Sequence, residues 1–350
     1  MHTSPNTPDK SEITSAECGR IFEAIIGRKP ESDAVVKTLV EMGPRHTILK
    51  FLTESDEYVA RARRVAPPFY TSSFDPIELM LRYEDRERKP VEGHVVNFFG
   101  VALRPEFAAG MPGIAGSVHG APIPANWHAD VAEFGAVLRA IELASSRFVV
   151  CELGCGWGCW LNIAGVVAKN SGKTVHVIGV EGDEGHIDFA RQTLETNGFP
   201  EADITLVRGI AASTDGMAYF PKQLQSGVSW GLAPIFDGLP DKAAAENYDN
   251  IPMISLENLF ADIEQVDLLH IDIQGGEATL IPQSIDILTK KVKYIVVGTH
   301  SREIDGLIAG VLERAGWALE MEKPTLIELS GGKPIVRIDG VQGWRNSHLV

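Results

Sequence analysis

Three segments gather residue types that can do chemistry. In residues 149–162, VVCELGCGWGCWLN, an apolar run ends at Glu152 and Leu153, and Gly154, Gly156 and Gly158 then alternate with Cys155 and Trp157. Missing side chains let a backbone approach a ligand closely. In residues 266–281, VDLLHIDIQGGEATLI, another apolar run delivers Asp272, Gln274 and Glu277, and in residues 293–300 a third, KYIVVGTH, ends on His300. If those two runs are neighbouring strands, Asp272 and His300 converge on one point at a sheet edge. There they can orient a hydroxyl and take its proton. A neutral His300 would be the base, with log rate rising through about pH 6–7, and Asp272 would orient it or the substrate. The competing reading of His300 is a polar strand-end residue capping a helix begun at Ser301. Glu277 suits a helix N-terminus better than catalysis, and His270, in mid-strand, reads as a satisfied buried histidine.

The elements that must position these groups alternate. Strands are expected at FVVCEL, VHVIGVE, ITLVRGIA, VDLLHIDI and KYIVVGTH, with helices around 183–196, 277–288 and 304–315 between them. Apolar strand cores alternating with helices imply a doubly wound, mostly parallel α/β sheet covered on both faces. WALEME and PIVRID are expected to close it, giving seven strands. A helix opened near Asn126, with Phe134, Val137, Leu138 and Ile141 on one face, begins this domain at residue 126 and carries it to 350. Residues 66–125, rich in Pro and Gly, read as a linker or a substrate-side cover. Residues 1–65 read as a small all-α module. Its stripes are Ile21, Phe22, Ile25 and Ile26, then Val35, Val36, Leu39 and Val40, then Ile48, Leu49, Phe51 and Leu52.

The Gly-rich turn has more than one owner among nucleotide-binding folds. A nicotinamide-binding fingerprint, G-x-G-x-x-G, would need glycine at position 159, where this chain has Cys159. The observed E-x-G-x-G-x-G resembles the first motif of class I S-adenosyl-L-methionine-dependent methyltransferases. That resemblance makes Glu152, Gly154, Cys155, Gly156, Trp157 and Gly158 cofactor-binding candidates. At the end of the next strand Glu181, followed by Gly182, is placed to accept from two ribose hydroxyls, though a solvated loop acid is the plainer reading and an NAD ribose would fit the same spacing. Arg208, Gly209 and Ile210 would come near the adenine. Asp272, Gln274, Gly275 and Glu277, with ISLENLF upstream, resemble the D-x-[EQ]-G-x-E hallmark of the FkbM family over roughly residues 148–346. The resemblance implies O-methylation of a hydroxyl on a sugar, glycan or related natural product, with S-adenosyl-L-methionine as cofactor and Asp272 also near it. This chain departs from the family at His270, where a lysine is usual, and at Gly298-Thr299-His300, where an acid-x-His is common. Residues 27–58 resemble the helical modules often placed before bacterial glycan-modifying enzymes.

Composition narrows the partners. The chain has 350 residues, 32 Lys and Arg against 47 Asp and Glu, and a formal net charge of −15. Such a surface repels phosphate backbones, so no nucleic-acid substrate is expected, and the basic concentrations at 61–64 and 82–89 lie outside the expected catalytic region. The polar start carries no signal-peptide core, and Phe148 to Ala168 reads as strand, turn and helix rather than a membrane span. Cys18, Cys151, Cys155 and Cys159 then read as reduced thiols of a cytoplasmic protein. No metal ligand set is expected. Trp127, His128 and Asp130 could line the acceptor site, with Trp127 alternatively a hydrophobic anchor. The insertion 213–250 carries Tyr219, Phe220, Trp230 and Phe236, which suit either a sugar ring or a small lid. Competing functions are an NAD-dependent oxidoreductase and a catalytically silent binding or scaffold module.

Overall fold

A computed structural model describes residues 13–350 except 27, 54, 56, 58–69, 109–113, 224, 226–228, 230, 237 and 239–241. The basic run 61–64 and Trp230 lie outside the described residues. The chain divides into two compact units, residues 1–69 and 70–350.

In the first unit, helices α1 (Ser15–Ile26), α2 (Asp33–Glu41) and α3 (Arg45–Thr53) enclose a core of their own. Cys18, Ile21, Phe22 and Ile26 of α1 meet Leu39 of α2 and Ile48 and Leu52 of α3. Beside that core the Arg28 guanidinium forks onto Glu57, with donor–acceptor distances of 2.6 and 2.7 Å.

The second unit begins with strand β1 (Thr71–Ser72), helix α4 (Pro76–Arg82) and the paired strands β2 (Val95–Val96) and β3 (Ala102–Leu103). Residues 70–125, expected to be a linker or a substrate-side cover, fall within this unit. Asp75 caps α4 by accepting from Ile77 and Glu78, and Leu79, Met80, Phe98 and Phe99 are buried in the common core. The Asn197 side chain clamps the backbone of Ala102 through both its N–H and its carbonyl, at 2.9 Å each. Pro and Gly content hid this because the contacts are long-range rather than periodic.

Then follow α5 (Val131–Leu143), β4 (Arg147–Leu153), α6 (Cys159–Asn170), β5 (Thr174–Glu181), α7 (Glu184–Thr196) and β6 (Ile204–Arg208). Strands β7 (Ile210–Ala212), β8 (Gly216–Pro221) and β9 (Tyr248–Ser255) come next, then α8 (Leu256–Leu259) and β10 (Leu268–Ile271). The chain continues through α9 (Glu277–Gln283), α10 (Ile285–Lys291), β11 (Tyr294–Thr299), α11 (Arg302–Arg314) and β12 (Trp317–Lys323). It closes with β13 (Leu326–Ser330), β14 (Lys333–Ile338) and β15 (Gly340–Asn346).

The main sheet runs β1-β12-β15-β11-β10-β4-β5-β6, with β11, β10, β4, β5 and β6 mutually parallel and β15 antiparallel between β11 and β12. It has eight strands rather than the expected seven, because Thr71 and Ser72 add an edge pair against Glu322 and Met321. Strand alternation explains the continuous apolar runs. Phe148 and Val150 turn toward α5 and α6, while Val149, Cys151 and Leu153 turn toward α9, α10 and α11.

Four local expectations change. The sheet is closed by GVQGWRN, not PIVRID, which pairs with β13 in a separate exposed ribbon. The strand ITLVRGIA breaks at Gly209, after which β7 leaves to pair with β9. The helix expected over 277–288 is two, divided at Ser284, two residues after Pro282 removes a backbone donor. The helix expected near Asn126 starts at Val131 behind an Asp130 cap, while Asn126 closes the preceding turn onto His128 and Ala129. Among the described residues, no helix is long and apolar enough to cross a membrane.

Candidate active site

Parallel pairing brings the chemistry to one edge. In β10, His270 stands opposite Glu152 of β4 and Val296 of β11, so the three neighbouring strands end at about the same level, where the chain reaches Asp272. A cavity of about 510 Å³ opens there, within the range for small-molecule sites. It is lined by the Gly turn, the ends of β5 and β10, and the insertion that follows β8.

The turn is built for close approach. Gly154, Gly156 and Gly158 all have left-handed φ, at 76°, 50° and 77°. A Cβ on Gly154 would stand 2.1 Å from the Asp272 carbonyl oxygen, so a side chain there would push β4 and β10 apart. Glu152 accepts from the N–H groups of Trp160 and Leu161 at 3.3 and 3.0 Å, closing the first turn of α6. Burial pushes its carboxyl up to about 8, with the nearby His270 acting against that rise. Cys155 and Trp157 line the cavity. Gly158 does not: a Cβ there would meet Asn162 and Ala190, so its smallness lets α6 pack on α7. All four cysteines are buried free thiols.

Glu181 ends β5 with its carboxylate fixed by two backbone donors, Gly156 N–H and Asp183 N–H, each at 2.9 Å. Each oxygen keeps a further acceptor position. Asp183 caps α7 by accepting from His186 N–H at 2.9 Å. Gly182 lies against the Phe220 ring, where a Cβ would come within 2.8 Å. Gly209 and Ile210 line the cavity, but Arg208 does not. Its guanidinium is drawn to Asp249 at 2.6 Å and Glu184 at 3.3 Å, so the opposite charges hold it away from the place expected for adenine.

Asp272 and His300 do meet, with Oδ1 and Nε2 at 3.2 Å. Glu277 completes a chain that the sequence reading missed. It is wholly buried, takes His300 Nδ1 at 2.8 Å and accepts from Gly275 N–H at 3.0 Å. Both ring nitrogens are therefore engaged by carboxylates. Burial opposes charge on the ring, but the bonds to Asp272 and Glu277 overcome it and raise His300 to about 10. Two carboxylates thus favour the imidazolium at neutral pH, against the neutral ring expected of a base. On Asp272, burial likewise opposes charge, and His300 outweighs it, so the carboxyl lies below its usual range. Asp272 is still 46% exposed through its side chain, and it lines the cavity. Ser301, not His300, caps α11, accepting from Ile304 N–H at 3.1 Å. Gln274, at φ 55° the one non-glycine with positive φ among the described residues, donates to Asp272 Oδ1 at 3.3 Å.

Deeper on the same side, His270 bonds Glu133 of α5 at 2.9 Å and packs against the Trp160 ring at 5.3 Å. His128 lies among Trp127, Trp157 and Trp160, at ring separations of 5.2–5.8 Å. Trp127 is 42% exposed and is not a buried anchor. Leu232, Pro234 and Phe236 of the insertion also line the cavity, Phe236 half exposed, together with the buried Phe220 of β8. Ile235 is tied to Tyr219 by two backbone bonds of 2.8 and 3.0 Å.

No protein-family model matches the chain, so the FkbM resemblance rests on its motif residues. A protein of Jannaschia sp. (strain CCS1) named "Putative methyltransferase" is 37% identical over 272 residues, covering 76% of this chain and 97% of that protein. Among solved structures, a precorrin-6Y C5,15-methyltransferase from Geobacter metallireducens GS-15 is 12% identical, with a TM-score of 0.37 over 62% of this chain and 88% of that one. The C-terminal domain of the Rhodobacter capsulatus enzyme of that name is 14% identical, with a TM-score of 0.34 over 63% and 90%.

Proposed function

This chain belongs to the methyltransferase family of its Jannaschia relative, and from that premise we propose that it carries a methyl group from S-adenosyl-L-methionine to a hydroxyl of a sugar, glycan or related natural product. The cofactor would supply an electrophilic methyl on sulfur. The residues present fit such a group. The cavity is walled by a turn in which Gly154 has no room for a Cβ, and Glu181 has spare acceptor positions beside Gly156. Gly209 and Ile210 line the cavity beside this turn, and the missing side chain of Gly209 suits the approach of a flat ring.

The Asp272–His300–Glu277 chain carries the choice of a hydroxyl acceptor. A hydroxyl must be oriented and must shed a proton, and the half-exposed Asp272 carboxylate lines the cavity as the group that accepts its hydrogen bond and aims it, the proton passing to solvent as the methyl–oxygen bond forms. His300, already protonated, holds that carboxylate in place and stabilises its charge, while Glu277 holds His300. The half-exposed Phe236 lining the cavity offers a flat apolar face of the kind that packs on a sugar ring. The −15 charge supports a non-nucleic-acid acceptor. The test is incubation with S-adenosyl-L-methionine labelled in its methyl group and a whole-cell extract fractionated into glycans, small metabolites, RNA and protein. Label in an alkali-stable methyl ether supports the proposal. Label confined to RNA, protein or a carbon-bound methyl rejects it.

A further inference from the structure

His270 is 1% exposed, and its Nδ1 is buried without a hydrogen-bond partner while the residue lines the cavity. Its other nitrogen is committed to Glu133 at 2.9 Å, and Trp160 fixes the ring plane from one side. Burial works against charge on this ring, but Glu133, aided by Glu152 and Asp272, outweighs it and raises its affinity for the proton. A charged ring with Nε2–H given to Glu133 leaves Nδ1–H as a buried donor with no acceptor, a costly arrangement unless a ligand completes it. His128 faces the same wall, but burial lowers its pKa, so it does not compete as the cation.

The one anionic group on the proposed cofactor is its α-carboxylate. We propose that His270, held by Glu133, donates from Nδ1 to that carboxylate and so selects a cofactor that carries an intact amino-acid end. This rests on the S-adenosyl-L-methionine reading given above. It assigns His270 a binding role that its mid-strand position hid, and it makes Glu133 a positioning residue.

Calorimetry on the full chain tests it with three probes: S-adenosyl-L-methionine, its decarboxylated form, and 5′-methylthioadenosine, which lacks the whole amino-acid end. The unaltered protein should prefer the first over the second by about 10–100-fold, the worth of a hydrogen bond to a charged group. His270→Leu should remove that preference while leaving 5′-methylthioadenosine binding within about threefold. His270→Asn, which restores a donor where Nδ1 stood, should recover part of it, and Glu133→Gln should weaken it. Equal binding of the carboxylated and decarboxylated forms by the unaltered protein overturns the inference without any variant, and so does a preference that survives His270→Leu. Failure of all three probes to bind rejects the cofactor reading instead.

Discussion

Glu277 Oε1 lies 2.8 Å from His300 Nδ1, a buried carboxylate behind a ring whose other nitrogen faces Asp272. The pair turns a strand-end histidine into a fixed cation that cannot accept a proton at neutral pH. The rate should therefore lack the rise near pH 6–7 that a neutral histidine base would give, and should fall as pH climbs toward about 10 and the ring loses its proton. Glu277→Gln removes one of the two charges that raise His300, so that fall should move to lower pH. Turnover should drop about 10–100-fold near pH 8 with cofactor affinity kept within a few fold. A pH–rate profile unchanged by Glu277→Gln would contradict this role.

The same shift links His300 to stability. Its folded pKa of about 10 lies above the unfolded value of about 6.5, so its contribution is complete below about 6.5 and is lost as pH rises through about 10. The stability difference between the unaltered protein and His300→Gln should shrink steadily from pH 6 to pH 10. Denaturant unfolding at several pH values measures it, and a difference that stays constant over that range would rule out the shift.

Gly154 separates two reasons for a glycine. Gly172 has φ 82° with nothing within 4 Å of a Cβ, whereas at Gly154 the Asp272 carbonyl stands 2.1 Å away. Gly172→Ala should cost about 1 kcal/mol, from backbone conformation alone. Gly154→Ala should cost about 2–4 kcal/mol, as overpacking between β4 and β10 is added. Thermal melts of the two variants decide this. Equal losses would mean that the contact relaxes.

What was legible in the sequence followed local pattern. The strand cores, the Gly turn, Glu181 and the convergence of Asp272 with His300 all follow from apolar runs ending in polar residues. What was not legible depended on partners far along the chain. Glu277 looks like a helix-start acid until α9 carries it under His300, and His270 looks satisfied until Glu133, 137 positions earlier, takes only one of its nitrogens. Arg208 was misplaced because Asp249 arrives from an insertion with no period. Residues 70–108 were set aside because β1 and Asn197 anchor them through pairings that composition does not announce.

The two compact units carry separate cores. A chain of residues 70–350 should therefore fold and bind S-adenosylhomocysteine within about threefold of the full chain. Cutting at 126 instead should give insoluble protein, because Met80, Phe98 and Phe99 leave the core. Circular dichroism and calorimetry on both fragments check this. A soluble, ligand-binding fragment 126–350 would return residues 70–125 to the status of a linker.

Whether the cavity at the Gly turn takes S-adenosyl-L-methionine is decided by calorimetry with S-adenosylhomocysteine and NAD on the unaltered protein, Gly156→Val and Glu181→Ala. One S-adenosylhomocysteine should bind per chain, and NAD should not bind. Gly156→Val should abolish binding, since a β-branched residue is strained at φ 50° and fills the turn. Glu181→Ala should weaken binding by about 1–3 kcal/mol through lost bonds to the ribose and a loosened turn. NAD binding in the absence of any binding by the S-adenosyl ligand would contradict the assignment of the cavity to S-adenosyl-L-methionine.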